Sequence, residues 1–515
     1  MTKELPYADL KLQFIEAINR EKSNSKKKLR EKFRNTDWFF DFDFSLPENW
    51  LNVNIMDVTW LVTCGVAKKP RYVDEGIPFL SAQNARPFKA NLNKIKYISK
   101  EQFSKLTVGG KPELEDVLYT RVGNCGEAAK VPFEFDFAIY VSLTLIKPIH
   151  ELINSDFLVA YLNSYYGRTQ AHTGAIGSGL KNLNVNNVRK YRIPLPPLAE
   201  QERIVAKLDN LFSRSDKIKA SLAKIPQLLQ NFRQQVLAQA VTGKLTEGWR
   251  EGRNFEWGFT ELSKYCESSF YGPRFNKTAY SNTGYRTVRT TDMSDSGQIV
   301  ISENIPKVEI TDPNKLELYR VKTGDLLITR TGSIGKMARY FGSEIIIPSA
   351  YLIRFRFNEN ALTDFVYYSL ISPQLQKEMG LNSTAITQPN LNAKKIKNLK
   401  IPDIEIEEQQ EIVNRVETLF EKADKIQEKY ELLKAKIEQL PQAILHKAFK
   451  GELVPQLASD GDARELLREI EGLKAESLLK KASGRRKSIK DFGKEYTLDQ
   501  ENQLKVAEEK ETYKE

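Results

Sequence analysis

The chain has few of the residues from which metal sites and disulfide frameworks are built. Its 515 residues include three cysteines, Cys64, Cys125 and Cys266, and three histidines, all of them widely spaced along the sequence. Because no pair lies at metal-ligand spacing, we expect no metal site, and three scattered cysteines do not indicate a disulfide framework. This cysteine usage fits the reducing cytoplasm, where we expect the protein to be located.

Several patterns that accompany catalysis or membrane insertion are also missing. The chain has no apolar run near the ~20 residues of a membrane span and no signal-peptide pattern at its start. It lacks the phosphate loop G-x-x-x-x-G-K-[ST], the zinc motif H-E-x-x-H, a C-x-x-C pair and the nucleophile elbow G-x-S-x-G. It also lacks N-P-P-[FYW] and D-P-P-[FYW], with which amino-methyltransferases hold a flipped base. We therefore predict a protein with no catalytic residues of its own.

Positive charge is what the chain has in excess. Lysines and arginines number 78 and acidic residues 67, which gives a net charge of +11. Such an excess favours an anionic partner such as a nucleic acid, although a basic surface can also be simply solvated. A hydrophobic content of 41% is enough for folded cores, and the length suggests two to four domains.

Two long segments have the 3.5-residue apolar period of a coiled coil. The first covers residues 200–242 and has one gap, at Ser215, and the second begins at Glu408. Pro226 lies within the first pattern and should kink or break that helix, and Pro441 interrupts the second pattern late. The residues predicted to form the coiled-coil interface are Ile204, Leu208, Leu211, Ile218, Leu222, Ile225 and Leu229 in the first segment and Ile412, Val416, Leu419, Ile426, Tyr430, Leu433 and Ile437 in the second.

The two segments are copies of one another at a constant distance. Glu200–Gln201 matches Glu408–Gln409, and Gly243 matches Gly451, in each case 208 residues apart (408 − 200 and 451 − 243). The match runs without a gap for about 60 residues, and upstream of it DVLYTRVGNCG resembles DLLITRTGSIG. Coincident heptads would repeat apolar character but not these polar identities, so we predict an internal duplication.

Each copy begins with a mixed segment that we predict to be a small α/β domain. Short β-like runs alternate with turns rich in Gly, Pro and Asn, and a helix follows the strands. Because a heptad helix needs a partner to bury its apolar seam, we expect the two long helices to pair antiparallel. The predicted fold is two similar α/β domains joined by an antiparallel two-helix coiled coil, a pseudo-twofold internal repeat. A helix of ~40 residues spans ~60 Å, comparable with one or two turns of B-DNA.

Four segments carry a family resemblance. The segments IPLPPLAEQERIVAKLDNLF, VTGKLT, IEEQQEIVNRVETLF and KAFKGELVPQ resemble those of the specificity (S, HsdS) subunits of type I restriction–modification systems, and the resemblance covers about residues 45–475. It implies two target-recognition domains, each reading one half of a bipartite, asymmetric site in double-stranded DNA, and helical spacers that set the gap between the halves. It also implies a non-catalytic chain that binds no cofactor itself.

The resemblance implies partners as well. They are two modification (methyltransferase) subunits, which methylate adenine with S-adenosylmethionine, and two restriction (translocase/endonuclease) subunits, which need ATP and Mg²⁺. On this basis we divide the chain into an N-terminal helical extension (1–44), target-recognition domain 1 (45–198), a central helical spacer (199–245), target-recognition domain 2 (246–406), a C-terminal helical spacer (407–475) and a charged flexible tail (476–515).

The motif D-x-L-x-T-R-x-G, which both copies share, has two interpretations. It could approach DNA, or it could be a strand and turn needed for folding. Because the motif is shared while the targets should differ, we favour a structural or phosphate-binding role for Arg121 and Arg330 over base reading. Residues that differ between the copies are better suited to base edges, since Asn, Gln and Arg carry the required donors and acceptors.

Candidate DNA-binding residues come from the motif, from the differing segments, from two polar loops at residues 172–181 and 382–390, and from SSFYGPRFNK, which mixes aromatic and basic residues as a nucleic-acid-binding loop does. They are Ser81, Gln83, Asn84, Arg86, Arg121, Asn124 and Lys181 in the first domain and Tyr271, Arg274, Lys277, Arg289, Thr290, Thr291, Arg330, Ser333, Lys336 and Gln388 in the second. An alternative remains open, in which the chain is an adaptor whose coiled coil bridges other proteins and whose basic surface is incidental. The missing motifs disfavour an autonomous methyltransferase or nuclease.

Overall fold

The structure, a computed structural model, describes residues 45–176, 181–253, 256–330, 335–380 and 391–488. The chain forms two compact units, each of which is treated by itself below. The first unit contains residues up to Ile218 together with those from Lys436 onward, and the second contains Lys219–Ala435. The boundaries fall inside both long helical segments, so each unit includes one globular domain and part of each segment.

The domain of the first unit is built on an antiparallel sheet. The strands are β1 (Leu51–Asn54), β2 (Thr59–Cys64), β3 (Ile77–Leu80), β4 (Ala85–Arg86), β5 (Lys89–Ala90), β6 (Lys96–Ile98), β7 (Val117–Thr120), β8 (Ala128–Lys130), β9 (Ala138–Ile139), β10 (Leu143–Pro148), β11 (Ala175–Ile176), β12 (Asn182–Leu183) and β13 (Arg192–Leu195). Four strands form the sheet in the order β2–β10–β7–β8. Beside it, β3 lies between β6 and β9, and β1 pairs with β13.

The helices of this domain are short, and the long helical segment follows them. They are α1 (Lys100–Leu106), α2 (Ser155–Asn163), α3 (Tyr165–Gly174), α4 (Val185–Val188) and α5 (Leu198–Leu222). Asn154 begins α2 because its side chain accepts a hydrogen bond from the Phe157 N–H at 3.0 Å, which satisfies a donor of the first turn. Most of α2 is buried against β8, as its run of apolar residues requires.

The domain of the second unit repeats this arrangement. Its strands are β14 (Gly258–Glu261), β15 (Cys266–Tyr271), β16 (Tyr280–Ser281), β17 (Tyr285–Val288), β18 (Lys307–Val308), β19 (Asp325–Thr329), β20 (Met337–Tyr340), β21 (Ile346–Pro348), β22 (Leu352–Phe357) and β23 (Lys400–Asp403). The main sheet has the order β15–β22–β19–β20, and β14 pairs with β23. Each of these strands takes the place of its counterpart in the first unit, β2–β10–β7–β8 and β1–β13. The strand order therefore confirms the predicted duplication.

The remaining helices are distributed over both units. They are α6 (Ile225–Val241), α7 (Glu247–Arg250), α8 (Pro313–Tyr319), α9 (Thr363–Leu370), α10 (Pro373–Glu378), α11 (Ala393–Lys397), α12 (Ile406–Phe449) and α13 (Ala463–Ser488). The first long segment is broken between α5 and α6, with Pro226 in the first turn of α6, as predicted. Pro441 has no such effect, since α12 continues through it to Phe449.

The buried positions of the long helices agree in part with the predicted interface. Buried members are Ile204, Leu208, Leu229, Ile412, Val416, Tyr430 and Ile437, and partly buried members are Leu211, Leu222, Ile225 and Leu419. In the first unit Ile204 shares one apolar core with Leu445 and Ala448 of α12. In the second unit Val236 and Val241 of α6 share a core with the first turns of α12. Each unit thus packs pieces of both helical segments onto its own domain.

The interface prediction is wrong for Ile218, Ile426 and Leu433, whose exposed fractions are 48%, 49% and 51%. Part of the reason lies at the position that looked like a gap. Ser215 is only 2% exposed and its counterpart Ala423 only 1%, so a small residue occupies the seam in each helix. Counted from Ser215 and Ala423, the next partly buried position lies four residues along the helix, whereas the predicted interface placed it three residues along. Ile218 and Ile426 lie at the three-residue step and therefore point outward.

A buried glutamate begins each long helical segment. Glu200 in α5 accepts hydrogen bonds from Trp50 Nε1 at 2.9 Å, Asn49 Nδ2 at 3.3 Å and Gln456 Nε2 at 2.6 Å. Burial nevertheless raises the pKa of Glu200, because the carboxylate loses its hydration. In the first unit the start of α5 is thereby joined to the segment that follows α12.

Glu408 has the equivalent role in the second unit. It is fully buried in the first turn of α12 and accepts hydrogen bonds from Thr246 Oγ1 at 2.7 Å and Arg250 Nη1 at 2.5 Å. Both donors lie in the segment that follows α6, at and just before α7. The repeated glutamate therefore makes the same kind of connection in each unit, although its partners differ.

The glutamine after each glutamate binds the backbone of the adjoining domain. Gln201 Oε1 accepts a hydrogen bond from the Asn154 N–H at 3.0 Å, and its Nε2 donates to the Pro196 carbonyl at 3.0 Å. Gln409 Oε1 accepts from the Leu362 N–H at 2.9 Å. The two glutamines thus fix the start of α2 and of α9 to the long helix that follows in the chain.

Helix α13 extends into the segment that we interpreted as a flexible tail from residue 476. The helix runs to Ser488, and residues 489–515 lie outside the described part of the chain, as does the N-terminal extension 1–44. Lys474 of α13 donates to the carbonyls of Met56 and Asp57 at 2.5 and 2.7 Å. Residues 476–488 of the predicted tail therefore belong to a helix.

Candidate nucleic-acid interface

The shared motif lies at one end of the strands of each main sheet. Strands β7 and β19 end there, and the chain returns to the sheet as β8 and β20. The Thr120 carbonyl accepts a hydrogen bond from Gly126 N at 2.9 Å, and the Thr329 carbonyl accepts from Gly335 N at 3.0 Å. The φ angles of Gly126 and Gly335 are 95° and 81°, a region that favours glycine. The turn geometry therefore accounts for the second glycine in both copies.

The aspartate of the motif is structural in both domains. Asp116 is fully buried and accepts a hydrogen bond from Lys147 Nζ at 2.6 Å. Asp325 is fully buried and binds the guanidinium of Arg356 through two bonds of 2.8 and 2.7 Å. A buried carboxylate needs such a partner, and each pair joins two neighbouring strands of its sheet.

Arg121, a candidate DNA contact, is directed into the first domain. It is 7% exposed, and its Nε donates to the Leu183 carbonyl at 2.8 Å. A guanidinium held in this way presents little surface to DNA. The prediction that Arg121 contacts DNA is therefore wrong. The structural interpretation of the motif is favoured in this domain.

Arg330, the equivalent residue of the second domain, lies over an aromatic ring. Its guanidinium carbon is 5.0 Å from the centroid of the Tyr271 ring. Tyr271 is 39% exposed, and its hydroxyl accepts a hydrogen bond from the Ala393 N–H at 2.9 Å. The structure thus brings together two candidates that are far apart in the sequence.

Asn84 is also a candidate that the structure places in the interior. It is 0% exposed, its Nδ2 donates to the carbonyls of Asn91 and Asn93 at 3.1 and 3.0 Å, and its Oδ1 accepts from the Ser81 N–H at 3.0 Å. Because the side chain is fully buried, with both amide donors and the amide oxygen engaged by the backbone, the prediction that Asn84 reads bases is wrong. The amide instead fixes the loop after β3.

Exposed candidates surround these fixed positions in the first domain. Gln83 is exposed and donates to the Lys94 carbonyl at 3.0 Å, and Arg86 is exposed beside Glu127 at 3.3 Å. Asn124 and Lys181 are exposed, whereas Ser81 is partly buried. These side chains, Ser81 excepted, keep surface through which they could meet a ligand.

In the second domain, Arg289 occupies the position equivalent to Ser81. It binds Asp292 through Nε and Nη2 at 3.1 and 3.0 Å, and Asp292 is buried at the position of Asn84. Thr290 is partly buried and Thr291 is exposed. Asp292 thus holds Arg289 on the domain, a local constraint that the sequence comparison did not reveal.

The other candidates of the second domain are less constrained. Arg274 is exposed, and Lys336 Nζ pairs with Asp295 at 2.9 Å. The described part of the chain gives only the backbone of Lys277, in a short 3₁₀ turn. Ser333, Gln388 and the loop 382–390 lie outside the described residues, as does most of the loop after Ile176.

A basic and aromatic cluster in the first domain was missed. Lys69 and Lys96 place their Nζ atoms 5.7 and 4.4 Å from the centroid of the Tyr72 ring, and Lys68 and Arg71 are exposed next to them. Ammonium groups over a tyrosine face are attracted to it and remain available to an anion. The signal was present, because GVAKKPRY after β2 matches GPRFNKTAY after β15, where Tyr271 and Arg274 were singled out.

Metal-binding groups and membrane-spanning helices are both missing from the described residues. Within the described residues there is no group of three or more His, Cys, Asp or Glu side chains that could hold a metal ion. None of the described helices is long and apolar enough to cross a membrane.

Comparison with known proteins decides the family. A family model for the type I restriction modification DNA specificity domain matches the chain twice, at residues 47–227 and 254–435. The chain belongs to this specificity family. Each match begins at a domain and ends within a long helical segment, in agreement with the internal duplication.

The chain aligns with curated relatives of the specificity family over nearly their whole length. The chain is 30% identical over 479 residues to the type I restriction enzyme EcoKI specificity subunit of Escherichia coli K12, covering 86% of this chain and 99% of the relative. It is 28% identical to the StySPI specificity subunit of Salmonella potsdam, covering 85% and 98%. The resemblance based on the four sequence segments is confirmed.

A solved structure of the specificity family supports the fold. The crystal structure of the HsdS subunit from Thermoanaerobacter tengcongensis superposes with a TM-score of 0.59 at 19% identity, covering 80% of this chain and 99% of that one. At this identity the comparison concerns the fold alone, and it agrees with two domains connected by long helices.

Proposed function

We propose that this chain is the DNA-recognition subunit of a type I restriction–modification complex and that it reads a bipartite, asymmetric site. One domain reads each half. The observation that carries the proposal is a duplicated scaffold with dissimilar surfaces: both main sheets have the same strand order, yet Arg121 is buried and bound to the Leu183 carbonyl where Arg330 is only half-buried over Tyr271. Two similar frames with different surface chemistry are what two different half-sites require.

The surface chemistry supports a nucleic-acid partner. Tyr72 with Lys69 and Lys96 in the first domain, and Tyr271 with Arg330 in the second, combine cations with aromatic rings on accessible strand ends and loops. Cationic groups bind phosphate and steer the approach of DNA, and exposed arginine forks read base edges. The net charge of +11 also favours a nucleic-acid partner.

The long helical segments are proposed to act as the spacer. We propose that they pair antiparallel, in a pseudo-twofold arrangement, and set the number of base pairs between the two halves. The buried seam and the repeated Glu–Gln pairs at Glu200 and Glu408 support this role, because they join each domain to both helical segments within its unit. A helix of 44 residues such as α12 is roughly 66 Å long.

Chemistry is assigned to partner subunits in this proposal. The chain is proposed to bind no cofactor and to direct adenine methylation by two modification subunits, which use S-adenosylmethionine, or restriction by two further subunits, which use ATP and Mg²⁺. The names of the curated relatives, type I specificity subunits, support this assignment. DNA as the substrate fits a location in the cytoplasm.

One experiment tests the proposal directly. The chain is expressed with its modification subunits in a host that lacks other adenine methylation, and the methylated sites are determined by single-molecule sequencing. We expect one bipartite site with a fixed gap and two different halves. The control strain expresses the modification subunits alone and should show no such site. If the complex instead methylates without a sequence pattern, and mobility shifts at moderate salt show no selective binding, the chain is an adaptor.

A further inference from the structure

The arginine of the shared motif has different surroundings in the two domains. The backbone positions correspond, because Arg121 N donates to the Ser142 carbonyl and Arg330 N donates to the Tyr351 carbonyl, each at 3.0 Å. Both residues directly follow the equivalent buried strand of the main sheet, β7 or β19. The backbone hydrogen bond of the arginine is therefore the same in the two domains, and the contacts of its side chain differ.

In the first domain the side chain is part of the fold. Its Nε donates to the Leu183 carbonyl at 2.8 Å, and the Leu183 N–H in turn donates to the Arg121 carbonyl at 2.7 Å. Two bonds between the same two residues fix β12 against the end of β7. Arg121 is therefore a structural residue.

In the second domain the guanidinium of Arg330 contacts an aromatic ring instead of a carbonyl. Arg330 is half-buried over Tyr271, and no acceptor among the described residues lies within hydrogen-bond distance of its guanidinium. By contrast, Arg289, Arg339 and Arg356 of the same unit each bind an aspartate. Among the described residues, the guanidinium donors of Arg330 therefore have no acceptor, unlike those of these three arginines.

The ring under Arg330 is itself immobilised. Tyr271 is the last residue of β15, where it pairs with Ile353, and the Ala393 N–H donates to its hydroxyl. Tyr351, whose carbonyl accepts from Arg330 N, is 59% exposed beside it. Contact with a fixed aromatic face restricts a guanidinium while its N–H groups remain usable, which lowers the entropy lost on binding.

We infer that Arg330, positioned by Tyr271, is a specificity-determining residue that reads a guanine in the half-site of the second domain, an inference that rests on the proposed function. A planar fork of donors matches guanine O6 and N7 in the major groove, and this is the commonest specific contact of arginine with DNA. A phosphate contact would need only charge, which a mobile lysine supplies. The shared motif therefore serves recognition in one domain and folding in the other.

The test compares Arg330→Lys with the twin variant Arg121→Lys in the complete chain assembled with its modification subunits. Lysine keeps the charge and loses the fork. Methylation rates are measured on duplexes that carry the wild-type site or a single G·C to A·T change at each position. For Arg330→Lys we expect discrimination at one G·C pair to fall by about tenfold to a hundredfold, with the other half-site unchanged. Arg121→Lys should leave discrimination unchanged at every position and lower the melting temperature.

Two Tyr271 variants test the positioning role. Tyr271→Leu removes the ring and should reduce discrimination at the same G·C pair, whereas Tyr271→Phe keeps the ring and should retain discrimination there. Uniformly weaker binding to all duplexes by Arg330→Lys would make Arg330 a phosphate contact and overturn the inference. A lower melting temperature with unchanged discrimination would overturn it too, as would a half-site without a G·C pair. Failure of the wild-type complex to methylate any specific site would instead refute the proposed function.

Discussion

Replacing Gln409 with alanine should destabilise the second unit by about 3 kcal/mol. The side chain is fully buried and makes three hydrogen bonds with backbone groups: it accepts from the Leu362 N–H at 2.9 Å and donates to the carbonyls of Asn360 at 2.9 Å and Ile404 at 3.1 Å. Each bond contributes about 1 kcal/mol net, and alanine offers no replacement. The loss is therefore the sum of three such terms.

The assay is thermal unfolding of the full chain, measured by differential scanning calorimetry. The second unit, Lys219–Ala435, falls in a size range in which 1 kcal/mol moves the melting temperature by about 2–4 °C, so the transition of this unit should fall by about 6–12 °C. Gln410→Ala is the matched control, because Gln410 is exposed and bonds only to Asn414 on the same helix. It should change the transition by less than about 2 °C.

The twin residue extends the test. Gln201 forms two such hydrogen bonds with backbone groups, so Gln201→Ala should cost about 2 kcal/mol and act on the transition of the first unit. The reasoning is refuted if Gln409→Ala behaves like Gln410→Ala, or if each variant lowers the transition of the other unit.

Three further predictions concern the glutamate, the seam and the spacer. The pKa of Glu200 is raised by burial, so its contribution to stability is fully present below the ordinary pKa of 4.5 and is lost as the pH rises through the higher folded value. The stability of wild type relative to Glu200→Gln, measured by denaturant titration, should therefore increase as the pH falls from 7 towards 5, and a pH-independent difference would contradict this. Ile412→Ala should cost about 2–5 kcal/mol because Ile412 is fully buried, whereas Ile426→Ala should cost about 0.5 kcal/mol or less. Equal losses would show that the seam follows the uncorrected heptad. Insertion of four residues between Ala223 and Lys224, where the helix is already interrupted, should change the gap of the methylated site and leave both half-sites unchanged. Altered half-sites with an unchanged gap would argue against a spacer.

The repeated architecture was predictable because it depends on periodicity and on identities at a constant offset. Apolar spacing predicts part of the seam of α12, including Ile412 and Val416, and Pro226 marks the helix break. Ser215 shows the limit of this approach: hydrophobic periodicity treats a small polar residue as a gap, although close packing favours a small side chain there. The outward turn of Ile218 follows from that one position.

The candidate site was less predictable, because residue type does not determine side-chain direction. Arg121 and Arg330 occupy the same position of the shared motif, but the side chain of Arg121 binds the carbonyl of Leu183, which lies 62 residues away in the chain. Asn84 has the donors and acceptors of a base reader and uses them on its own loop. Lys96 reaches Tyr72 from a neighbouring strand, a contact that no local pattern reveals.

The glutamine contacts have a consequence for how new members of this family could arise. What Gln201 and Gln409 bind in the adjoining domain is peptide backbone, such as the N–H groups of Asn154 and Leu362, so the contact does not depend on which side chains the domain carries. A genetic crossover at the two Glu–Gln pairs would replace a whole domain and still meet matching donors and acceptors. The backbone bonds would thus allow one domain to be exchanged for another without loss of this contact.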